Sequence, residues 1–302
     1  MPWTISSSLD DFRARAGGFL AAHPAENTVL LTITDRLAAS GPHYYGDGVP
    51  VFGWWRAEPD GPVAGAFVQT PPFSPRLGLM PESAAVELAA ELAALLAAEL
   101  VAEPAAGSAA APAGAAALTG AGGGAAATLA FGAAWAAVTG TTSTVRTNER
   151  LYRLGELADP PRPPSGRSRL AGADDRELLI RWFAEFAEEV DIRIPNVATV
   201  VDDRTAAGQL HLWEDGGRPV AVAGASAVIA GMSRIGPVYT PGEARGRGYA
   251  SGVTAAASAA ALARGAAEVL LYTDLANPTS NSIYQQIGYR PVEDCVELAF
   301  GD

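Results

Sequence analysis

The sequence contains no lysine: all 21 basic residues of this 302-residue chain are arginine. That excludes Schiff-base chemistry on a lysine and the usual phosphate-loop nucleotide hydrolases. The single cysteine, Cys295, excludes intrachain disulfides and cysteine-rich zinc modules. Histidine is almost as scarce. His23, His43 and His211 lie far apart, so a histidine cluster exists only if the fold gathers them, and no metal is expected. A long apolar run is also missing. The longest charge-free stretch, Pro104 to Val145, is mostly Ala and Gly interrupted by Pro, Ser and Thr, which suits no bilayer span. The start, MPWTISSSLDDFR, lacks the basic flank and apolar centre of a signal peptide, so a soluble cytoplasmic location is expected.

Positive charge is in deficit overall, with 21 basic against 33 acidic side chains and a formal net charge of −12. Neutralising phosphates needs a basic face, so the balance argues against nucleic-acid and anionic-membrane partners, without forbidding a local arginine cluster. The length predicts about two domains. Asp159 to Gly166 (DPPRPPSG) reads as a linker, because successive prolines favour extended backbone and remove amide donors. The expected domains are therefore 1–158 and 167–302.

In the first half, Thr28 to Thr34, Val51 to Trp55 and Val63 to Thr70 read as strands, rich in β-branched and aromatic residues. Ser83 to Val101 reads as a helix with Ser83 as N-cap, followed by an Ala/Gly-rich loop to about Gly124. A helix over Ala126 to Val138 and a strand over Val145 to Leu154 complete it. In the second half, Leu178, Leu179, Trp182, Phe183, Phe186 and Val190 fall at helical spacing within Asp174 to Val190. A second helix follows at Val197 to Gly208. Strands are expected at Gln209 to Trp213, Pro219 to Ile229 and Arg234 to Tyr239, the first two joined by a hairpin turn at Asp215, Gly216 and Gly217. A helix from Tyr249 to Arg264, a strand Glu268 to Thr273, a helix Ser280 to Ile287 and a strand Val292 to Phe300 close the chain. The order predicts an α+β domain with one long central sheet.

The loop TPGEARGRG between strand and helix brings together Arg245, Gly246, Arg247, Gly248, Tyr249 and Ala250. Glycines let backbone approach a ligand, a helix start offers unpaired amides to an anion, and two arginines add charge. The place suits a pyrophosphate.

Arg245-x-x-Gly248-x-Ala250, after the strand Ile235 to Tyr239 and before an Ala-rich helix, resembles the acetyl-coenzyme-A signature of the GCN5-related N-acetyltransferases, the GNAT superfamily. Asn277, Ser280, Tyr284, Gly288 and Tyr289 in NPTSNSIYQQIGY resemble its second signature. The resemblance covers about Ser168 to Phe300 and implies a mixed central sheet flanked by helices, with acetyl-CoA as donor substrate. It implies that the amides of Arg245 to Ala250 hold the pyrophosphate, that backbone groups of Val238 and Tyr239 meet the pantetheine arm, and that Asn277 and Asn281 contact the coenzyme. Tyr284 would be the general acid at the leaving thiolate. For the base, carboxylates are the natural candidates: Glu185, Glu188, Glu189, Asp191 and, better placed at a strand end, Asp274, with a water chain as the alternative.

The elements before Pro160 can be read as a worn copy of the same fold, with a further strand near Ala116 to Thr119. Phe73 to Ser83 (FSPRLGLMPES) stands where the coenzyme loop would be and lacks its pattern. The expected molecule is thus a tandem GNAT protein with a degenerate N-terminal half and a catalytic C-terminal one, the acceptor lying in an interdomain cleft. Trp54, Trp55, Phe73 and Tyr45 would line that site or pack in the core. The implied activity is N-acetylation of a small, cationic amine acceptor by a monomer or homodimer. The alternatives are a non-catalytic acyl-CoA sensor, and an enzyme using another acyl group or an oxygen or sulfur acceptor.

Overall fold

The structure, a computed structural model, describes residues 2–101, 118–194 and 196–301. Along the described residues one order of elements occurs twice: strand, helix, helix, three strands, helix, strand, helix, strand. The first pass is β1 (Trp3–Ser6), α1 (Leu9–Ala22), α2 (Thr28–Ser40), β2 (Val51–Trp55), β3 (Gly65–Gln69), β4 (Arg76–Leu77), α3 (Glu82–Val101), β5 (Gly120–Gly124), α4 (Ala125–Thr139) and β6 (Thr142–Leu154). The second is β7 (Arg167–Leu170), α5 (Arg176–Glu189), α6 (Val197–Ala206), β8 (Leu210–Asp215), β9 (Arg218–Ala225), β10 (Met232–Tyr239), α7 (Tyr249–Ala263), β11 (Glu268–Asp274), α8 (Pro278–Gln286) and β12 (Tyr289–Gly301).

The chain forms two compact units: Met1–Arg150 with Glu293–Asp302, and Leu151–Val292. By compactness the units divide inside β6, not at the Pro-rich segment, and the last residues of β12 return to unit 1. In unit 1, β1, β2 and β3 pair antiparallel in turn, β4 joins β3 antiparallel, and β5 lies parallel to β4. Cys295 to Ala299 of β12 then pair antiparallel with β5. Its core gathers Trp3, Trp55, Phe67, Leu88, Phe131 and Trp135. Unit 2 repeats the pattern, with β7, β8, β9 and β10 antiparallel in turn and β11 parallel to β10.

Several expectations are corrected. Thr28 to Thr34 is not a strand; it opens helix α2. Thr28, Leu30, Leu31, Thr34 and Leu37 are buried at helical spacing, and the Thr34 hydroxyl donates back to the Leu30 carbonyl at 2.8 Å. Packing of that stripe outweighs the weak strand preference of Thr, Val and Ile. Helix α3 starts at Glu82, which places Ser83 inside its first turn and not at the cap. Residues 102–117, where the Ala/Gly loop and part of the expected 116–119 strand fall, lie outside the described residues. The strand itself is Gly120–Gly124. A Cβ on Gly122 would stand 2.3 Å from Arg76 Nη1 and 2.4 Å from Glu297 Oε1, so this strand admits no side chain there. β1, α1, β4 and β7 carry no clear sequence signal and were not expected.

Trp54 and Trp55 are core residues, 6% and 7% exposed, and the Trp55 indole donates to Glu87 at 2.9 Å. Tyr45 meets Phe73 edge-on at 6.4 Å. Among the described residues no helix is long and apolar enough to cross a membrane. His23 and His43 fall in unit 1 and His211 in unit 2, and among the described residues no metal-binding group of three or more His, Cys, Asp or Glu forms.

Candidate active site

In unit 2 the parallel ladder of β10 and β11 runs over Met232↔Glu268, Ser233↔Val269 and Arg234↔Leu270, where the pairing ends although both strands continue. Beyond it, β10 shifts register through a bulge between Ile235 and Val238 and pairs only with β9, through Val238↔Ala223 and Tyr239↔Val222. The last residues of β10 thus present backbone groups on the β11 side without a ladder partner. Those groups must find partners in water or in a ligand. Side chains at the strand end alternate between layers. Val238 packs with Tyr249 and Tyr284 in the cluster of α7 and α8, while Tyr239 packs with Leu179, Trp182 and Phe183 of α5.

The loop after β10 leads into α7. Gly246 and Gly248 take φ values of +77° and +82°, in the left-handed region that penalises a Cβ. Gly248 is the N-cap of α7, and no side chain caps the helix there. The first-turn amides of a 15-residue helix are therefore open toward an anion, reinforced by the helix dipole. Arg247 is exposed, and its charge helps hold the Asp215 carboxyl below its ordinary range, behind the hydrogen bonds from Tyr249 and Ser165. The Tyr249 hydroxyl donates to Asp215 at 2.5 Å and that of Ser165 at 2.9 Å, while the Trp213 indole donates to the Ser165 carbonyl at 2.7 Å. The Pro-rich segment is thereby fastened beside the start of α7, and its Arg162 carbonyl stands 3.4 Å from a Cβ built on Gly248.

Arg245 is half-exposed, yet its guanidinium is already engaged. Its Nη2 donates to Glu189 Oε2 at 2.5 Å and its Nε to the Thr240 carbonyl at 2.9 Å, and the group lies 6.0 Å from the Tyr239 ring centroid. The Tyr239 hydroxyl donates to Glu185 at 2.9 Å, and burial with this carboxylate pushes its pKa up to about 12. Two of the candidate bases are therefore already engaged.

Tyr284 of α8 is buried, 8% exposed, with its ring edge-on to Tyr289 at 6.1 Å. Burial pushes its hydroxyl up to about 12, against an opposing hydrogen bond with Ser280. It is neutral throughout the physiological range and keeps a proton to donate. Asp274, Asn277 and Asn281 form the turn between β11 and α8. Asp274 Oδ1 accepts from the Ala276 amide at 2.7 Å, and the Asn277 side chain caps α8 by accepting from the Ser280 amide at 3.0 Å. The Asn281 amide donates to the Asp274 and Asn277 carbonyls at 2.8 Å each and accepts from the Tyr152 hydroxyl at 2.9 Å. Its side chain is fully used within the chain. Sequence reasoning missed the partners of this site. Glu189 and Glu185 read as free helix-face carboxylates, and Asp215 only as a turn residue, because the site partners Arg245, Tyr239, Tyr249 and Ser165 each lie more than 30 residues away.

Residues 219–297 match the family model described as FR47-like protein, a stretch that spans β9 to β12 and so includes the loop and both signature helices. No curated protein matches the chain. Among solved structures, a GNAT-family acetyltransferase from Colwellia psychrerythraea is 13% identical, with a TM-score of 0.56 over 100% of this chain and 99% of that one. A GCN5-related N-acetyltransferase from Sphaerobacter thermophilus is 16% identical, with a TM-score of 0.58 over 99% of this chain and 96% of that one. The chain has the GNAT fold. Both likenesses run nearly end to end, so they take in the doubled order of elements as well as the unit that carries the signatures. The GNAT resemblance read from the motifs is borne out at the level of fold.

Proposed function

We propose that the protein is an acyltransferase whose unit 2 binds acetyl-CoA and transfers the acetyl group to the amine of a small acceptor. The observation that carries this reading is the end of the β10–β11 ladder beside the uncapped start of α7. Unpaired strand groups suit an amide-containing arm, and open helix amides suit a pyrophosphate. The amides of Gly246 to Ala250 and the Arg247 charge would hold the pyrophosphate, and the backbone of Val238 and Tyr239 the pantetheine arm. The coenzyme supplies the acyl group as a thioester.

A phenol near 12 does not hand its proton fully to a thiolate whose ordinary pKa is about 8.5. Tyr284 therefore acts by hydrogen-bonding the sulfur as charge develops there. The proton lost by the amine goes to Asp274, which holds one oxygen in the turn and has no partner described for the other, or to water. Asn277 and Asn281 serve by fixing the turn that presents Asp274 and α8. The acidic balance of the chain favours a cationic acceptor by long-range attraction. The reading includes a cytoplasmic monomer or homodimer with neither nucleic acid nor membrane as partner.

Incubation with acetyl-CoA and a panel of amines, following released thiol, tests the proposal. Turnover is expected, falling by about 10²–10⁴ in Asp274→Asn, which keeps the Oδ1 acceptor of the turn, and by about 10-fold or more in Tyr284→Phe. Tight acetyl-CoA binding without turnover on any acceptor would make the protein a coenzyme sensor, and wild-type rates in both variants would remove their assigned roles.

A further inference from the structure

Arg245 opens the loop signature, and its charge invites the reading that it grips a phosphate. The contacts give it another task. Its guanidinium is held on three sides, by Glu189, by the Thr240 carbonyl and by the face of Tyr239. Tyr239, the last residue of β10, is in turn held by Glu185. Glu185 and Glu189 stand one turn apart on α5, so a single helix face reaches both the end of the strand and the first residue of the loop signature. The loop's remaining exposed arginine, Arg247, makes no comparable bond to α5 among the described residues.

We propose that Glu189 and Glu185 are positioning residues that lock the β10 end and the coenzyme loop onto α5, with Arg245 serving as the tether and not as a phosphate ligand. This rests on the acyl-CoA reading of unit 2 for its consequence, though not for the tether itself. The donor site is then preorganised by a helix from the opposite layer of the sheet. The price of that arrangement is one neutralised cation on a loop that must receive a polyanion.

Two explanations of Glu189 predict opposite signs. If it mattered only as a charge, Glu189→Gln would remove a negative group and free Arg245, tightening acetyl-CoA binding slightly, by less than about twofold at physiological salt. As a positioning residue, its loss weakens binding by about tenfold, because the open amides lose their common orientation. Three variants decide: Glu189→Gln, Arg245→Glu, and the reversed pair Arg245→Glu with Glu189→Arg. The pair is half-exposed, 49% and 48%, so these changes leave the core untouched.

Amide hydrogen exchange across residues 242–252 reads the tether without any ligand. Exchange about tenfold faster in each single variant, restored toward wild type in the reversed pair, is expected. Acetyl-CoA affinity measured by calorimetry should fall in Glu189→Gln, with the loss in KM and kcat little changed; Arg245→Glu also sets a carboxylate on the loop, so the exchange rates alone read the tether in the variants at 245. Unchanged exchange in Glu189→Gln, or tighter binding in that variant, would each overturn the proposal; the reversed pair restores only the ion pair, since a glutamate at 245 cannot donate to the Thr240 carbonyl. Absence of acetyl-CoA binding by the wild-type protein would overturn the donor-site reading, and the exchange rates would still decide the tether.

Discussion

At the scale of single residues, Glu293 stands apart from the other carboxylates. It lies on β12, in unit 1, beside the end of β5, where a Cβ on Gly124 would come within 2.7 Å of its Oε2, and burial with a smaller contribution from Glu26 pushes its pKa up to about 7. The folded state therefore holds a proton that the unfolded chain releases near 4.5. Between those values the native state binds more protons, so stability falls as pH rises from about 4.5 to 7, and the full cost is present above 7. Glu293→Gln imitates the protonated form. Discounted for partial exposure, it should stabilise unit 1 by about 1–2 kcal/mol at pH 8, or roughly 2–6 °C in Tm, with the gap closing by pH 4.5. Melting curves of the two proteins at pH 4.5, 6 and 8 check this, and a gap independent of pH would contradict it. The neighbouring Cys295 thiol is pushed up by burial and by Glu293, which leaves it a poor nucleophile.

Secondary-structure elements were legible where their cause is local. The amphipathic α5, the glycine-turned β8–β9 hairpin and the body of α8 follow from spacing and turn chemistry, and so do the loop and start of α7, while α8 begins two residues before the expected Ser280 because Asn277 caps it and Pro278 opens it. Elements whose cause is distant were not. β5 is a glycine-rich strand held by backbone pairing with β4 and β12, with Arg76 and Glu297 meeting over Gly122, and nothing within GAGGG announces that. The misread α2 follows Asn27, a fully buried side chain that donates to the His23 carbonyl at 3.1 Å and accepts from the Leu79 amide at 3.0 Å. That residue joins the entry of α2 to the chain leaving β4. Asn27→Ala strands the Leu79 amide and empties a packed site, which should cost about 2–3 kcal/mol. Urea unfolding should show the loss as a lower midpoint with little change in slope, and a cost under about 0.5 kcal/mol would deny Asn27 this role.

At the scale of the whole molecule, one topology occurs twice and the two units have opposite answers at the same place. In unit 2 the chain leaves β10 through a glycine loop whose helix amides are open. In unit 1 it passes from β4 to α3 through Gly78 to Pro81, with Asn27 occupying the Leu79 amide and Glu82 in the first turn of the helix, where an anion would be repelled. Unit 1 thus fills from within the loop amide of Leu79 and sets an acidic residue at the start of its helix, where unit 2 has open amides and arginine, which supports reading the first unit as a worn copy. The expected stoichiometry is one acetyl-CoA per chain by titration calorimetry, and coenzyme at 100 times its Kd should stabilise the binding unit by about 2.7 kcal/mol. Gly248→Val, which forces a β-branched residue to φ +82°, should abolish all binding while circular dichroism stays native. A second equivalent of coenzyme, or binding that survives Gly248→Val, would place a working donor site in unit 1, and the occupied Leu79 amide would then have to be released for it.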